Sequence, residues 1–209
     1  SLNLAWKSPL GKLVAYAYLL EIDDIGSNSL DTYGLSFKRK SALNNDMALL
    51  YGLEYAHQKF DTSHSDFDAD YLKARFGVKC QHVTFALQYE SLGSDNGGYG
   101  FATPLATLHK FNGWADIFLA TPSQGLIDMS VAASGQWHDA KWKLSYHDFE
   151  ADDGSSNLDD FGRELNVQLV YPLSKQLKLG LKYASYHDGD SATGKVDTDK
   201  VWLWTQFSF

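Results

Sequence analysis

Apolar and polar residues alternate one by one along most of the chain. In the final stretch, VWLWTQFSF, Val, Leu, Thr and Phe at odd positions alternate with Trp, Gln and Ser at even positions. The same period of two recurs around residues 33–37, 47–55, 72–78, 83–89, 140–147, 165–171 and 177–183. This period places alternate side chains on opposite faces of a β-strand, and helical spacing fits none of these segments. The sequence therefore predicts an all-β chain whose strands each have one apolar and one polar face.

The connections between these segments alternate between short and long. Short turns are expected at 8–11, 43–46, 80–81, 138–139 and 174–176, and long polar loops at about 22–30, 61–68, 94–125, 150–161 and 187–198. Short turns at one end and long loops at the other are typical of a transmembrane antiparallel up-and-down β-barrel. The strands are expected to have about 9 to 13 residues, and about ten tilted residues cross a hydrocarbon layer.

A soluble β-barrel or β-sandwich is the alternative, because its strands alternate in the same way. Its apolar face would form a tightly packed core rich in Val and Ile. Here the apolar face is rich in Leu and Tyr, with aromatic residues near the strand ends, and the polar face carries charged residues along its length. This distribution favours a membrane barrel with aromatic belts. We therefore expect residues 1–209 to form one barrel unit in the bacterial outer membrane.

The number of strands is expected to be odd. Counting the turns gives about 11 strands, or about 13 if the segment 94–125 contributes two, whereas bacterial barrels normally have an even number. We therefore expect the C-terminal portion of a larger even-stranded barrel, and a miscounted strand is the alternative. Phe209 ends an apolar series that resembles the C-terminal strand of bacterial outer-membrane barrels. That resemblance implies recognition by the barrel-assembly machinery.

The composition argues against several other classes of protein. With 44% hydrophobic residues the chain is not expected to be disordered, and no apolar run approaches the roughly 18 residues of a transmembrane helix. The single Cys excludes a disulfide framework and a Cys-rich metal site. A net charge of -8 argues against a nucleic-acid partner. No signal peptide is recognisable, so the sequence is that of a mature, cytoplasmic or truncated chain.

The segment 94–125 does not alternate. A structureless loop of this length is usually functional, and its apolar content favours folding into the lumen, where it would constrict the channel. Its sequence TPLATLHKFNGWADIFLATP resembles the alginate-export-like family of bacterial outer-membrane porins, mainly between Gly97 and Asp128. The resemblance implies a wide barrel with in-folded loops that set selectivity, and such families transport varied solutes.

Five polar or aromatic residues in this segment are candidates for contact with solute. They are His109, Lys110, Asn112, Trp114 and Asp116. In one interpretation they form a constriction that contacts the solute. In the other they only pin the loop through hydrogen bonds and aromatic packing. The sequence leaves both interpretations open.

Charge is divided unevenly between the loops and the strands. Most carboxylates are expected in the long loops, and the polar strand faces carry only Glu54, Glu90, Asp128 and Glu164. Seven cations are expected to line the pore on the same faces: Lys38, Lys73, Arg75, Lys141, Lys143, Lys178 and Lys182. Rings of Lys and Arg favour anions in a pore. The alternative is that these charges pair across strands.

The sequence therefore predicts an outer-membrane porin for passive diffusion of small anionic or oligosaccharide solutes, in contact with membrane lipid and lipopolysaccharide. The alternative is a polysaccharide export channel that works with periplasmic partners. No cofactor is expected. Asp66, Asp68 and Asp70 alternate as calcium ligands do, but Tyr71 stands where an EF-hand loop has Gly, so no metal site is expected. Catalysis is not expected, because no third group accompanies Ser145 and His147 in the sequence.

Overall fold

A computed structural model describes residues 1–22, 28–106, 111–155 and 157–209. Within these ranges the chain forms one antiparallel sheet of eleven strands and a separate two-stranded hairpin. A 3-10 turn lies at Ser191–Thr193 in the described part of the chain. Among the described residues, no helix has the length and apolar character needed to cross a membrane.

The strands follow one another along the chain. They are β1 (Leu2–Ser8), β2 (Gly11–Ile22), β3 (Asn28–Ala42), β4 (Met47–Asp61), β5 (Asp66–Cys80), β6 (Val83–Leu92), β7 (Ser94–Asp95), β8 (Tyr99–Gly100), β9 (Leu126–Trp137), β10 (Ala140–Ser155), β11 (Leu158–Pro172), β12 (Leu177–His187) and β13 (Thr198–Phe207). The two short strands β7 and β8 pair only with each other, and all the others belong to the large sheet.

Each strand of the large sheet pairs with its neighbours in the chain. β6 pairs directly with β9, from Leu92 opposite Leu126 to Val83 opposite Gly135. The described residues between them therefore add no strand to this sheet, and the lower of the two expected strand numbers is correct. Because eleven strands alternate in direction, β1 and β13 run the same way.

The two faces of the sheet have opposite chemistry. Buried polar side chains lie on the inner face, and they include Gln58, Glu90, Asp128, Glu164 and Asn166. The outer face exposes large apolar side chains over its whole area, such as Leu53, Tyr55, Phe76, Leu87, Val131, Leu144, Leu165, Val167, Leu181 and Leu203. A soluble protein buries such residues, and exposed apolar patches of this extent mark contact with lipid. The soluble alternative is therefore wrong.

Two of the predicted long loops are shorter than expected. β4 ends at Asp61 and β5 begins at Asp66, while β10 runs to Ser155 and β11 begins at Leu158. Beyond the lipid both faces of a strand meet water, so apolar alternation disappears although the backbone ladder continues. Five of the described strands therefore exceed the expected length: β3, β4, β5 and β11 have 15 residues and β10 has 16. Part of the predicted loop 22–30, residues 23–27, lies outside the described residues.

The outer-face assignment can be tested at two adjacent residues of β6. Leu87 is exposed on the apolar face, whereas Gln88 lies on the inner face, with its amide nitrogen 3.2 Å from the Glu90 carboxylate. Leu87→Arg should lower the free energy of unfolding by about 2–4 kcal/mol, the cost of a cation on the lipid face of a barrel near the midplane.

The measurement is denaturant unfolding of the protein in lipid vesicles. Gln88→Arg is the matched control, because it adds the same side chain beside a carboxylate on the inner face, and it should cost less. Equal losses in the two variants would show that the face carrying Leu87 does not meet lipid.

Candidate functional site: the inner loop and its cations

The connection between β6 and β9 folds against the inner face of the sheet. We call residues 93–125 the inner loop, of which 93–106 and 111–125 are described. It leaves the sheet at Gly93, whose N–H donates to the Asp70 carbonyl at 2.8 Å. The hairpin of β7 and β8 follows, and the Phe101 N–H then returns to the Gly93 carbonyl at 2.9 Å. Phe101 is buried against Tyr71 of β5, with 5.4 Å between ring centroids.

Asp152 of β10 holds both ends of the inner loop. Its carboxylate accepts hydrogen bonds from the Ser94 N–H at 2.9 Å and from the Ser91 hydroxyl at 3.2 Å. Its own N–H donates to the Gln124 carbonyl at 3.0 Å. Asp152 falls in the predicted long loop 150–161, whereas in the structure it belongs to β10 and its contacts fix both ends of the inner loop.

Gln58 of β4 holds the middle of the loop. The side chain is buried, and its amide nitrogen donates to Thr32 Oγ1 at 2.8 Å and to the Ala102 carbonyl at 2.9 Å. Its amide oxygen accepts from the Ala102 N–H and from the Tyr99 hydroxyl, both at 2.7 Å. Every hydrogen-bonding position of the side chain is thus used, as a buried amide requires.

Glu164 of β11 holds the tip of the loop. Its Oε1 accepts hydrogen bonds from the backbone N–H groups of Trp114 and Ala115, the second at 3.0 Å. Gly113 precedes them with a φ of 85°, and a Cβ there would lie 2.3 Å from Glu164 Oε2. Only glycine combines this backbone conformation with so close an approach. The Gly-Trp pair in the sequence is therefore a turn that brings two backbone donors to one carboxylate.

The indole of Trp114 lies among lysines. Trp114 is 8% exposed, with Lys182 Nζ 4.6 Å and Lys143 Nζ 5.0 Å from its ring. Lys182 Nζ also lies 5.6 Å from the ring of Trp202 on β13. Cation–π contacts of this kind contribute roughly 0.5–2 kcal/mol each. The predicted candidates Trp114, Lys143 and Lys182 are thus brought together.

Asp116, another predicted candidate, forms an ion pair with the wall. Its Oδ2 lies 3.0 Å from Lys200 Nζ of β13. Lys200 was missed as a pore-lining residue, although it precedes Trp202 by two positions and so shares its face of the strand. The pinning interpretation thus holds for both Trp114 and Asp116, and both also lie among cations of the inner face.

The end of the inner loop is packed into an aromatic cluster. Phe118 is buried with ring centroids 4.7 Å from Phe149, 5.9 Å from Phe161 and 6.2 Å from Tyr186. Lys195, in the loop between β12 and β13, covers this cluster and lies 5.5 Å above the Phe118 ring.

Backbone hydrogen bonds fix the loop that carries Lys195. The Asp190 carboxylate accepts from the N–H groups of Asp159 and Asp160 at 3.0 and 3.1 Å. These hydrogen bonds hold the pKa of Asp190 below the ordinary value of an Asp side chain. The carboxylate therefore stays ionised, and the loop contact persists, at neutral and mildly acidic pH.

Some inner-face charges do pair across strands. Lys73 lies 2.9 Å from Glu90, and Lys38 lies 3.7 Å from Glu54. A tyrosine hydroxyl also donates a hydrogen bond to each carboxylate, from Tyr71 to Glu90 at 2.6 Å and from Tyr16 to Glu54 at 3.0 Å. For Lys38 and Lys73 the pairing alternative is therefore correct.

Other predicted cations form a group of like charge. Lys143 and Lys182 lie over the same Trp114 ring, and Arg75, opposite Gln88, is on the same face of the sheet. Lys141 and Lys178 are exposed on the inner face nearer the short turns. Lys12, which was not predicted, pairs in register with Lys38. Because alternate residues of β2 lie on the same face, the position of Lys12 in this strand could have placed it on the inner face.

Two predicted site residues, His109 and Lys110, lie outside the described residues. A cavity of 540 Å³ lies between the described part of the inner loop and strands β1 to β6. Its lining includes Tyr16, Lys38, Glu54, Tyr71, Phe101 and Phe111. The described part of the loop therefore leaves room along one side of the inner face.

Asp128 provides the third group that the sequence did not reveal beside Ser145 and His147. His147 Nδ1 lies 2.9 Å from Asp128 Oδ1, and Nε2 lies 3.3 Å from Ser145 Oγ. The three groups have the order of a serine-hydrolase triad. Ser145 is 3% exposed and Asp128 is 0% exposed, so the hydroxyl is covered, and we assign it no catalytic role. The cluster ties β9 to β10 on the inner face.

The acidic residues considered for calcium make other contacts. Asp70 accepts hydrogen bonds from Tyr55 at 2.8 Å and from His57 at 2.9 Å, and Asp68 lies 3.4 Å from His57. In the described ranges, no three His, Cys, Asp or Glu side chains are placed to hold a metal ion.

Comparison with known proteins identifies the fold. No protein-family model matches the sequence, and no curated protein matches it significantly. The chain is similar to the solved structure of the outer membrane protein OprD from Pseudomonas aeruginosa, with a TM-score of 0.66 and 13% identity over 94% of this chain and 58% of that chain. OccAB3 from Acinetobacter baumannii gives a TM-score of 0.69 with 16% identity, covering 98% of this chain and 53% of that chain.

A third structure, OccK9 from Pseudomonas aeruginosa, has a TM-score of 0.65 and 15% identity, with 98% of this chain and 52% of that chain covered. The chain thus spans about half the length of the solved structures it matches. The fold is the antiparallel up-and-down barrel of outer-membrane porins, which confirms the fold prediction. The likeness also supports a location in the bacterial outer membrane. The resemblance to the alginate-export-like family is not confirmed by these comparisons.

The role of Glu164 in docking the loop tip can be tested by removing its carboxylate. Glu164→Ala leaves two backbone donors without an acceptor, and each buried donor without a partner costs about 1–3 kcal/mol. The tip should therefore leave the wall, and the single-channel conductance of the full-length protein in planar bilayers should rise.

The matched control is Glu54→Ala. It also removes a carboxylate from the inner face, but Glu54 bonds to the wall residues Tyr16 and Lys38. Its conductance should stay closer to that of the wild type. If Glu164→Ala leaves the conductance unchanged, the tip does not obstruct the pore.

Proposed function

We propose that this chain forms part of the wall of a channel in the bacterial outer membrane, through which small solutes diffuse passively and anions are favoured. The observation that carries the proposal is the pair of Lys143 and Lys182 over the ring of Trp114 at the buried loop tip. Fixed cations at a narrow point lower the energy of an anion there, and no chemical step is required.

The inner loop is the element that would narrow this channel. It is held at its ends by Asp152, in its middle by Gln58 and at its tip by Glu164. These three side chains come from strands on different parts of the inner face. A loop fixed in this way can set a reproducible pore size, whereas a mobile loop could not.

The balance of charge near the tip supports a preference for anions. Glu54 and Glu90 lie against Lys38 and Lys73, and Glu164 is occupied by backbone N–H groups of the loop. Glu54 and Glu90 are therefore already compensated by lysines, whereas Glu164 lies beside Trp114 and offsets part of the positive charge there. The preference is expected to be moderate, because Asp116 lies in the same region.

The size of the cavity beside the loop suits small solutes. A volume of 540 Å³ lies within the range of about 300–1,000 Å³ that is usual for small-molecule sites. Small anions and short oligosaccharides both fit this description. Export of a polysaccharide with periplasmic partners is less well supported, because a polymer would have to displace the anchored loop.

Membrane lipid and lipopolysaccharide are the proposed surroundings of the outer face, whose exposed Leu, Val and Tyr side chains support this. We also propose that the barrel-assembly machinery recognises Phe209, which is exposed just beyond β13. Phe207 lies beside it, with 6.4 Å between the ring centroids.

Ion selectivity gives a direct test of the proposed function. In a gradient of potassium chloride across a planar bilayer, the reversal potential of the full-length wild type should show a preference for chloride. Replacing both Lys143 and Lys182 with Gln should move the reversal potential toward cations, because two fixed positive charges leave the narrow region.

Lys59→Gln is the control. Lys59 is exposed beside Asp61 at the long-loop end of β4, so its removal changes the total charge without changing the tip. Its reversal potential should stay near that of the wild type. A cation preference in the wild type would contradict the proposed function.

A further inference from the structure

The cations at the loop tip are partly occupied by a carboxylate of the same chain. Asp116 Oδ2 lies 3.0 Å from Lys200 Nζ, and the charge of Asp116 also acts on Lys182. Lys182 in turn contacts the indole of Trp114. A negative group therefore already lies where the proposed channel would offer its positive charges to a solute.

The tip has other attachments that do not depend on the charge of Asp116. Glu164 holds the two residues before it through their backbone N–H groups, and Phe118 is buried two residues after it. Asp116 has a φ of 60°, in the left-handed region that non-glycine residues enter infrequently. An acidic side chain thus stands at a strained position between two independent anchors.

The ion pair is accessible to water, more so than the pair of Lys73 and Glu90 on the same face. The side chains of Lys200 and Asp116 are 36% and 21% exposed, whereas those of Lys73 and Glu90 are 20% and 6% exposed. Pairs that remain in contact with water contribute little net free energy, because water and ions compensate for their loss. The contact between Asp116 and Lys200 is therefore one that another anion can replace.

We propose that Asp116 sets the anion affinity of the channel as an internal competitor, whose carboxylate a solute anion displaces from Lys200 and Lys182. The proposal rests on the proposed function, since it gives that channel's cations a second, intramolecular ligand. When an anion arrives, its negative group takes the place of the Asp116 carboxylate, which turns to water, and no covalent bond changes.

Competition of this kind explains how a basic constriction can release an anion. A site of several unopposed lysines would hold the anion tightly and slow its passage, whereas conduction requires binding weak enough for the ion to leave. Asp116 returns to Lys200 as the solute departs. The loop residue therefore weakens binding without removing the positive charges that attract the solute.

The test measures binding of inorganic phosphate to the full-length protein in planar bilayers, as the phosphate concentration that halves the chloride current. Asp116→Asn keeps the shape of the side chain and removes its charge. It should lower this concentration by about fivefold, which corresponds to about 1 kcal/mol. Asp61→Asn is the control, because it removes one carboxylate at the exposed ion pair with Lys59, away from the loop tip, and should shift the value far less.

The role of Lys200 is tested by repeating the substitution in a second background. Lys200→Met should weaken phosphate binding, and adding Asp116→Asn to it should then have a much smaller effect than in the wild type. Non-additivity of this kind is the signature of two residues acting on one site. Circular dichroism on each variant verifies that the barrel is folded.

Three results would overturn the inference. They are an unchanged phosphate affinity in Asp116→Asn, an equal gain in Asp61→Asn, and a fivefold gain that persists undiminished with Lys200→Met. A rise in conductance without a change in affinity would likewise show that Asp116 only holds the loop in place. The proposed function is tested separately. A cation preference of the wild type in potassium chloride would contradict it, and the phosphate measurement does not depend on that result.

Discussion

The direct pairing of β6 with β9 is the constraint on which the rest of the structure depends. The two strands are in register from Leu92 and Leu126 at one end to Val83 and Gly135 at the other. Both ends of the inner loop therefore start from the same edge of the wall and cannot separate. A long segment with fixed, adjacent ends has to fold back on itself, and the apolar residues near its tip bury themselves against the inner face.

Burial of the loop would be costly without partners for its backbone. Each N–H and C=O that leaves water needs a hydrogen bond, and the hairpin of β7 and β8 supplies strand partners for only part of the loop. Gln58, Asp152 and Glu164 meet this need by presenting side-chain oxygens and nitrogens to the loop backbone. Polar residues of the wall therefore act as structural ligands of the loop, in addition to lining a water-filled space.

Much of the fold could be predicted from the sequence, because alternation at period two directly reports which face meets lipid. The prediction was wrong where this signal ends. At Asp66 and at Ser155 the strands leave the lipid, polar residues occupy both faces, and composition alone resembles that of a loop. Where both faces of a strand meet water, side-chain polarity does not reveal whether the backbone is hydrogen-bonded to a neighbouring strand.

The candidate site could be predicted only in part. Lys143 and Lys182 could be identified because alternate residues of a strand lie on the same face. Trp114 and Asp116 could be identified because the segment 94–125 does not alternate. The same alternation could also have placed Lys200 on the inner face. The partners of the loop could not be found, because contacts such as Glu164 with Trp114 join positions about fifty residues apart that neither strand register nor spacing connects.

The strands that extend beyond the lipid carry a consequence for the electric field along the pore axis. Their ends and the connecting loops form a rim of carboxylates, which includes Asp95, Asp152, Asp153, Asp159, Asp160, Asp188, Asp190 and Asp197. The cations around Trp114 lie deeper, so the potential changes sign between the rim and the interior. The Debye length grows from about 10 Å at 0.1 M salt to about 30 Å at 0.01 M. In dilute surroundings the negative potential of the rim therefore reaches further out and repels anions before they meet the interior, whereas in concentrated salt the two regions act independently.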